Sequence, residues 1–292
     1  MAAGKQRLNN PTSPLGAELG DAKLERRFGG LRRLYGDAGY DRVRGAGVAV
    51  VGLGGVGSWA AEALARSGVA RLVLMDLDHV AESNINRQVQ ACGRTLGMAK
   101  VQALIERIAD IHPGCEVIGV EDFVTPDNWP ALLPVAVDAV IDACDQVAAK
   151  AALATWSVQA GVALVCVGAA GGKRSAQRVE VQDLADSSHD PLLASLRQRL
   201  RRAGAVRRTG RIGVRCVFSR EAAAPPAALC AADATVAAGD GTLNCHGYGS
   251  SVAVTATFGM VAAGEVLELL QRESAAAAQA SAAIQMGPQV LL

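Results

Sequence analysis

The sequence predicts an α/β fold: a Rossmann-like, mainly parallel sheet with helices on both faces and a small antiparallel extension in the second half. Three observations carry that expectation. First, Val48-Ala-Val-Val51 is a run of small and β-branched apolar residues. It ends in a glycine-rich turn, Gly52-Leu-Gly-Gly-Val-Gly57, and a helical pattern starts at once at Ser58. Second, strand-like and helix-like patterns alternate as far as Val167, the order that puts parallel strands inside and helices on the faces. Third, the pattern then turns more polar, and residues 178–181 read as a strand of an antiparallel extension.

Each element has its own signal. The first twenty residues, rich in Asn, Pro, Ser and Gly, are expected to be disordered. Residues 21–40 form a basic amphipathic segment that includes Arg26-Arg-Phe28 and Leu31-Arg-Arg-Leu34. After the glycine turn, a helix over 58–65 leads to a second strand, Arg71-Leu-Val-Leu-Met75, closed by Asp76. Residues 97–110 place Val101, Leu104, Ile105 and Ile108 on one helical face, and Pro113-Gly114 ends the helix. A short strand follows at 116–120. Thr125-Pro126-Asp127 predicts a helix start with proline in the first turn. A buried strand is expected over 135–141, a helix over 146–160 closed by Gly161, and another strand over 162–167. Residues 168–173 form a glycine-rich loop, 191–202 a helix, 221–241 an Ala/Pro/Gly-rich surface loop and 251–270 a closing helix. The Ala/Ser/Gln-rich tail at 273–292 is expected to be flexible, so that 21–272 is a single domain.

Composition excludes several classes. In 292 residues, 50% are hydrophobic, ample for a core, while 20% charged residues and a net charge of +1 announce no nucleic acid as a whole. Seven cysteines stand without any Cys-x-x-Cys pair, which points to reduced thiols in a cytoplasmic setting and away from a disulfide scaffold or a zinc site. The N-terminus has neither the apolar core nor the cleavage site of a signal peptide. The uncharged stretch 245–264 holds Gly, Ser, Thr and His. It reads as buried structure, so no membrane span is expected.

The glycine turn is a nucleotide signal. Its glycines allow close approach of phosphate, the helix N-terminus offers free N–H groups to an anion, and Asp76 suits a ribose hydroxyl. Taken alone, it does not separate a dinucleotide dehydrogenase from an enzyme that uses ATP. Asp78, Asn84, Asn86, Arg87, Gln88 and Lys100 follow closely. Two cations and an amide group beside a phosphate site suit a triphosphate attacked at its α-phosphorus, because they neutralise charge that grows on the phosphoryl oxygens. Asp142 or Asp145, at the end of a later strand, is placed to hold Mg²⁺. Eight arginines fall within positions 197–215, among them Arg197, Arg201, Arg202, Arg207, Arg208 and Arg211. A solvated helix face explains them as readily as a phosphate-binding patch for nucleic acid.

Taken together, Val50-Val-Gly-Leu-Gly-Gly-Val-Gly-Ser58, Asp76-x-Asp78, Asn84-x-Asn86-Arg87-Gln88, Lys100 and Asp142-x-x-Asp145 resemble the ThiF-type, ubiquitin-activating-enzyme-like adenylyltransferases, which use ATP to adenylate a carboxylate. Further segments are similar to the branch that dehydrates threonylcarbamoyladenosine in tRNA. They are Arg27-Phe-Gly-Gly30, Asp122-Phe-Val-Thr-Pro-Asp-Asn128, Gly168-Ala-Ala-Gly-Gly172, Asp190-Pro-Leu192, Cys216-Val-Phe-Ser219 and Val254-Thr-Ala-Thr-Phe-Gly259. The resemblance implies ATP and Mg²⁺ as cofactors, with a monovalent cation as an option and no zinc. The implied substrate is N6-threonylcarbamoyladenosine in the anticodon loop of tRNA, adenylated on its threonine carboxylate and closed by intramolecular attack. By that resemblance Gly52, Gly54, Gly55 and Gly57 shape the phosphate turn, Asp76 takes the ribose, and Asn84, Arg87 and Lys100 contact phosphates, with Gln88 beside them. Asp145 is the first choice for the metal and Asp142 the second. Arg27 or Arg33 would complete a partner subunit's site, which implies a homodimer. A sulfur-relay protein is a further implied partner. Cys230 is the one cysteine position considered for a nucleophile, and an incidental thiol is the plainer reading. Two alternatives remain at this stage: activation of a ubiquitin-like sulfur-carrier protein, and a nicotinamide-dependent oxidoreductase or non-catalytic nucleotide module.

Overall fold

The computed structural model describes residues 8–9, 21–224 and 248–285. The order is β1 (Leu8–Asn9), α1 (Asp21–Gly45), β2 (Gly47–Val51), α2 (Gly57–Arg66), β3 (Arg71–Met75), α3 (Lys100–Ile111), β4 (Glu116–Val120), β5 (Ala139–Asp142), α4 (Val147–Ala160), β6 (Ala163–Val167), β7 (Val179–Asp183), α5 (Pro191–Arg202), β8 (Arg215–Ser219) and α6 (Val252–Gln285). The strands form a single sheet in the order β1-β4-β3-β2-β5-β6-β8-β7. Pairing is parallel from β4 to β8, and β1 and β7 add antiparallel edges. The parallel sheet with an antiparallel extension in the second half is the predicted architecture.

Both faces of the sheet are covered, which is why the central strands read as continuous apolar runs and not as alternations. Val48 and Val50 pack with Leu64 of α2, Leu104 of α3 and Phe258 of α6. Ala49 and Val51 pack on the opposite face with Leu153 of α4 and Leu196 and Leu200 of α5. The Val252–Gln271 part of α6 is long and apolar enough to cross a membrane by composition, but Val254, Phe258, Ala262 and Val266 are spent on this core.

Chain direction puts the site at one edge. From β2 the chain proceeds outward through β3 and β4, then returns to the other side of β2 for β5 and β6. Ligands bind at such a reversal, outside the carboxyl ends of the strands. Val51 is level with both Met75 and Asp142, so Gly52, Asp76 and Ala143 emerge at the same edge.

Several elements differ from expectation. No helix forms at Thr125: Asn128 Oδ1 accepts from Thr125 N–H at 2.8 Å, and its Nδ2 donates to Phe123 O at 2.8 Å, closing a set of turns. Local bonds of this kind compete with helix propagation. The strand expected over 135–141 shortens to β5, because Asp138 turns its carboxylate to Gly47 N–H at 2.8 Å. β8 lies at the end of the arginine-rich run and buries Cys216, Val217 and Phe218. Its charged approach hides an ordinary apolar strand. Gly36, with φ 69°, breaks α1 into two helical pieces. α6 continues past residue 270 to Gln285 through an alanine-rich run of high helix propensity. Apart from β1, the segment 1–20 lies outside the described residues, as do most of the 221–241 loop and the end of the tail.

Candidate active site: a nucleotide cleft at the strand ends

The glycine turn is built by contacts that tolerate no side chain at two positions and leave a third open. Gly52 has φ 84°, a left-handed conformation suited to glycine, and a Cβ there would stand 2.9 Å from Ala143 O. A Cβ on Gly57 would fall 1.8 Å from Gly52 O. At Gly54 a Cβ would meet nothing within 4 Å, because that backbone faces the cleft. α2 begins at Gly57 without a side-chain cap. Ser58 N–H bonds to Gly54 O at 3.2 Å, so the turn runs directly into the helix and aims the positive end of its dipole at the cleft.

Asp76, at the end of β3, is buried and locks the turn. Its Oδ2 accepts from Leu53 N–H at 2.6 Å and its Oδ1 from Asp78 N–H at 2.8 Å. Burial raises its pKa, opposed by the nearby Lys100 ammonium and these two N–H groups. Lys100 opens α3 and is itself buried; its Nζ donates to Asp78 Oδ2 at 2.6 Å and stands 3.7 Å from Asp76 Oδ1. A lysine charge is thereby held at the cleft wall between two carboxylates.

The segment after β3 supplies the opposite wall. Asn84 Oδ1 accepts from Ala81 N–H at 3.0 Å. That bond fixes the short turn from which Arg87 projects. Arg87 is partly buried, and burial lowers its pKa. Its NH1 donates to Ser83 O at 2.7 Å and Asn86 Oδ1 at 3.0 Å, while Trp59 Nε1 donates to Arg87 O at 2.9 Å. Gln90 holds the floor, with Nε2 donating to Leu53 O and Gln88 Oε1, each at 3.1 Å.

Two connected hollows result. One, of about 120 Å³, is bounded by Gly52, Asp76, Phe123 and Gln146; the other, of about 300 Å³, by Gly55, Asn84, Arg87, Gly168 and Thr255. Gly54, Asp78, Lys100, Ala143, Cys144 and Asp145 border both. The Asp76 side suits a ribose and base, and the Arg87 side suits phosphates and a second substrate.

Asp142 is not brought to the cleft. It is 0% exposed, and Lys150, also 0% exposed, donates to its Oδ1 at 3.1 Å and to Val167 O at 2.7 Å. Cys144 and Cys166 also donate to the Asp142 carboxylate, at 2.9 and 3.3 Å. Those partners use up Asp142 in joining β5, α4 and β6. Burial, with the Asp142 charge next, pushes the Cys144 thiol well above its ordinary range, which leaves it a poor nucleophile at neutral pH. Cys230 lies outside the described residues.

The N-terminal arginines lie elsewhere. Arg27 NH1 donates to Ile111 O at 2.6 Å and Asp110 O at 3.1 Å, capping α3 at the end remote from Lys100. Arg33 is exposed on α1. Of the later arginines, Arg197 pins the loop after β7 by donating to Leu184 O and Ser187 O, at 3.0 and 2.9 Å. Arg211 stands 3.5 Å from Asp183. Arg197, Arg201, Arg202 and Arg208 border one shallow depression on α5, and Arg207 is exposed. Sequence reading passed over Trp59, Gln90 and Lys150, whose roles carry no periodic or motif signal, and met Thr255 only inside the resemblance at 254–259.

The glycine cradle, buried carboxylate and paired cations at a sheet reversal define an α/β protein that binds a nucleotide triphosphate. Residues 27–286 match the model of the ThiF family, and the chain belongs to that family. It is 44% identical over 255 residues to the tRNA threonylcarbamoyladenosine dehydratase of Escherichia coli strain K12, covering 85% of this chain and 95% of that protein. Identity to the Haemophilus influenzae enzyme of the same name is 37% over 256 residues, covering 86% and 95%. The crystal structure of the E. coli tRNA N6-threonylcarbamoyladenosine dehydratase in complex with ATP superposes with a TM-score of 0.78 at 42% identity, over 88% of this chain and 98% of that one. The corresponding AMP complex gives 0.77.

Proposed function

We infer that the chain is an ATP-dependent tRNA threonylcarbamoyladenosine dehydratase. The observation that carries this is the likeness to the E. coli enzyme over 95% of that protein's length. It extends well beyond the nucleotide cradle, through the loop at 168–173 and helix α5. The ATP and AMP complexes of that relative agree with adenylation and with AMP as a product.

In this reading the threonine carboxylate of the modified nucleoside attacks the α-phosphorus of ATP and pyrophosphate leaves. The adjacent carbamoyl group then attacks the activated carbonyl, AMP departs and the ring closes with net loss of water. AMP is a good leaving group, and intramolecular attack benefits from proximity by several powers of ten. Asp76 keeps lone pairs for the ribose hydroxyls beside its two N–H bonds. Gly54, Gly55 and the first turn of α2 receive phosphate. Arg87 and Lys100, with Asn84 and Gln88 setting their wall, neutralise the charge that builds on the phosphoryl oxygens.

Mg²⁺ fits the donor set on the cleft. Among the described residues no cluster of three His, Cys, Asp or Glu gathers, but magnesium is usually bound by one or two carboxylates together with substrate phosphates. Asp145 borders both hollows and is assigned that role, where the ion would offset phosphate charge. Asp142 is assigned to positioning the strand ends. Arg33 is the arginine assigned to the partner's site in a homodimer, since Arg27 is engaged with α3. The exposed arginines of α5 are assigned to tRNA phosphates. A cytoplasmic location, a bound monovalent cation and a sulfur-relay partner complete the proposal.

The test is AMP release. With ATP and Mg²⁺, AMP should form with tRNA that bears threonylcarbamoyladenosine and not with tRNA that lacks it. AMP formation or pyrophosphate exchange driven by a small carrier protein, with none driven by the modified tRNA, would contradict the reading.

A further inference from the structure

The groove between α4 and α5 has no part in the chemistry above. It has a volume of about 400 Å³ and is walled by Trp156, Ala152, Leu200, Pro126 and Trp129. Arg199 and Gln159 are at its exposed rim. Trp129 is buried and meets Trp156 edge-on, with ring centroids 5.1 Å apart at 87°. It fixes the half-buried Trp156 ring from behind. The Trp129 Nε1 is buried without a hydrogen-bond partner among the described residues, an orphan donor in the groove wall.

Two features tie this groove to a nucleic acid. Arg199 also borders an adjoining hollow with Arg202, and Arg202 borders the next one with Arg201 and Arg208. The aromatic slot therefore runs without a break into a cationic face. Both helices also start beside the nucleotide cleft, since Gln146 precedes α4 and Pro191 opens α5 on its border. Trp156 and Arg199 lie eight or nine residues along them, about 12–14 Å from the cleft at the helical rise. A rigid aromatic ring flanked by arginines is a stacking platform for an unpaired base, with phosphates on the cations.

We propose that this groove binds an unstacked base of the tRNA against Trp156, while the neighbouring phosphates lie on Arg199 and Arg202. The proposal rests on tRNA being the substrate. A protein partner in the groove is the competing outcome.

Trp156→Leu keeps an apolar contact for Trp129 and removes the ring. Its Kd for tRNA, measured by filter binding over a range of salt concentrations, should rise about tenfold with the salt slope unchanged, since stacking displaces no counterions. Trp156→Phe should recover most of the affinity. Arg202→Ala should instead lower the slope by about one. Ultraviolet cross-linking of the wild-type protein to tRNA should put an adduct on the tryptic peptide spanning residues 151–173, which needs no variant to fold. Wild-type affinity in Trp156→Leu, or cross-links that all avoid that peptide, would overturn the proposal. In either case AMP release by the wild-type protein reads the dehydratase assignment separately. A wild-type protein that neither binds nor converts the tRNA would remove both.

Discussion

Gly54 and Gly57 are three residues apart and should fail in different ways when changed to alanine. The Gly57 methyl would collide with the Gly52 carbonyl, 1.8 Å away. Gly57→Ala should therefore cost more than about 3 kcal/mol of stability in denaturant unfolding, the scale of an unrelieved backbone clash. The Gly54 methyl would enter open cleft. Gly54→Ala should keep the melting temperature and raise the KM for ATP about tenfold or more, by occupying phosphate space. Arg87→Ala should lower AMP formation about a hundred- to a thousandfold, the usual effect of removing one transition-state donor, while circular dichroism stays unchanged. Sequence made this turn legible because glycine spacing after an apolar run has few other uses. Residue patterning did not separate Asp142 from Asp145, since both stand at the end of the same strand, and only the family resemblance put Asp145 first. Only the fold brings Lys150 and two thiols onto the Asp142 carboxylate and leaves Asp145 at the cleft.

Helices α1 and α3 are fastened by groups that no helical period displays. Arg27 caps α3, and Arg44 NH1 lies 3.0 Å from Nε2 of the buried His112, which meets Phe28 edge-on at 4.6 Å. Burial, then the charges of Arg44 and Arg27, lowers the His112 pKa to about 4. The unfolded chain takes up this proton near pH 6.5, and the folded one does so only near 4. Stability is therefore full above the unfolded value and falls as pH drops through that window, by up to about 3 kcal/mol. Urea titrations of wild type and His112→Gln between pH 7 and 4 should diverge, with the variant lacking this part of the acid slope. Parallel curves would show that the ring does not carry it. At this scale the periodic helices and central strands were readable, because burial stamps its period on a sequence. The turn at Thr125–Asn128 and strand β8 were not: in one, side chains compete with the helix, and in the other arginines flank a buried strand.

In the whole molecule α5 starts at the cleft border with Pro191 and carries Arg199 to Arg202 about 12–17 Å further along the helix, a span that one tRNA covers. α4 starts at the edge where β5 ends, whereas antiparallel β7 ends at the opposite edge and the loop at 184–190 brings the chain back to the cleft before α5. Changing Arg201, Arg202 and Arg208 together to alanine should weaken tRNA binding and reduce the slope of log K against log salt by about three, with the KM for ATP unchanged. An unchanged slope would make the face a solvated surface. The fold class was legible from strand–helix alternation, whereas the placement of this face relative to the cleft needed the strand order. The central claim, dehydration through adenylation, is tested most directly by the mass of the nucleoside. Wild-type protein is incubated with ATP, Mg²⁺ and tRNA bearing threonylcarbamoyladenosine, and the tRNA is then digested and analysed by mass spectrometry. The modified nucleoside should lose the mass of one water, with one AMP formed for each nucleoside converted. An unchanged nucleoside mass under conditions where the protein is folded and binds ATP would contradict the account.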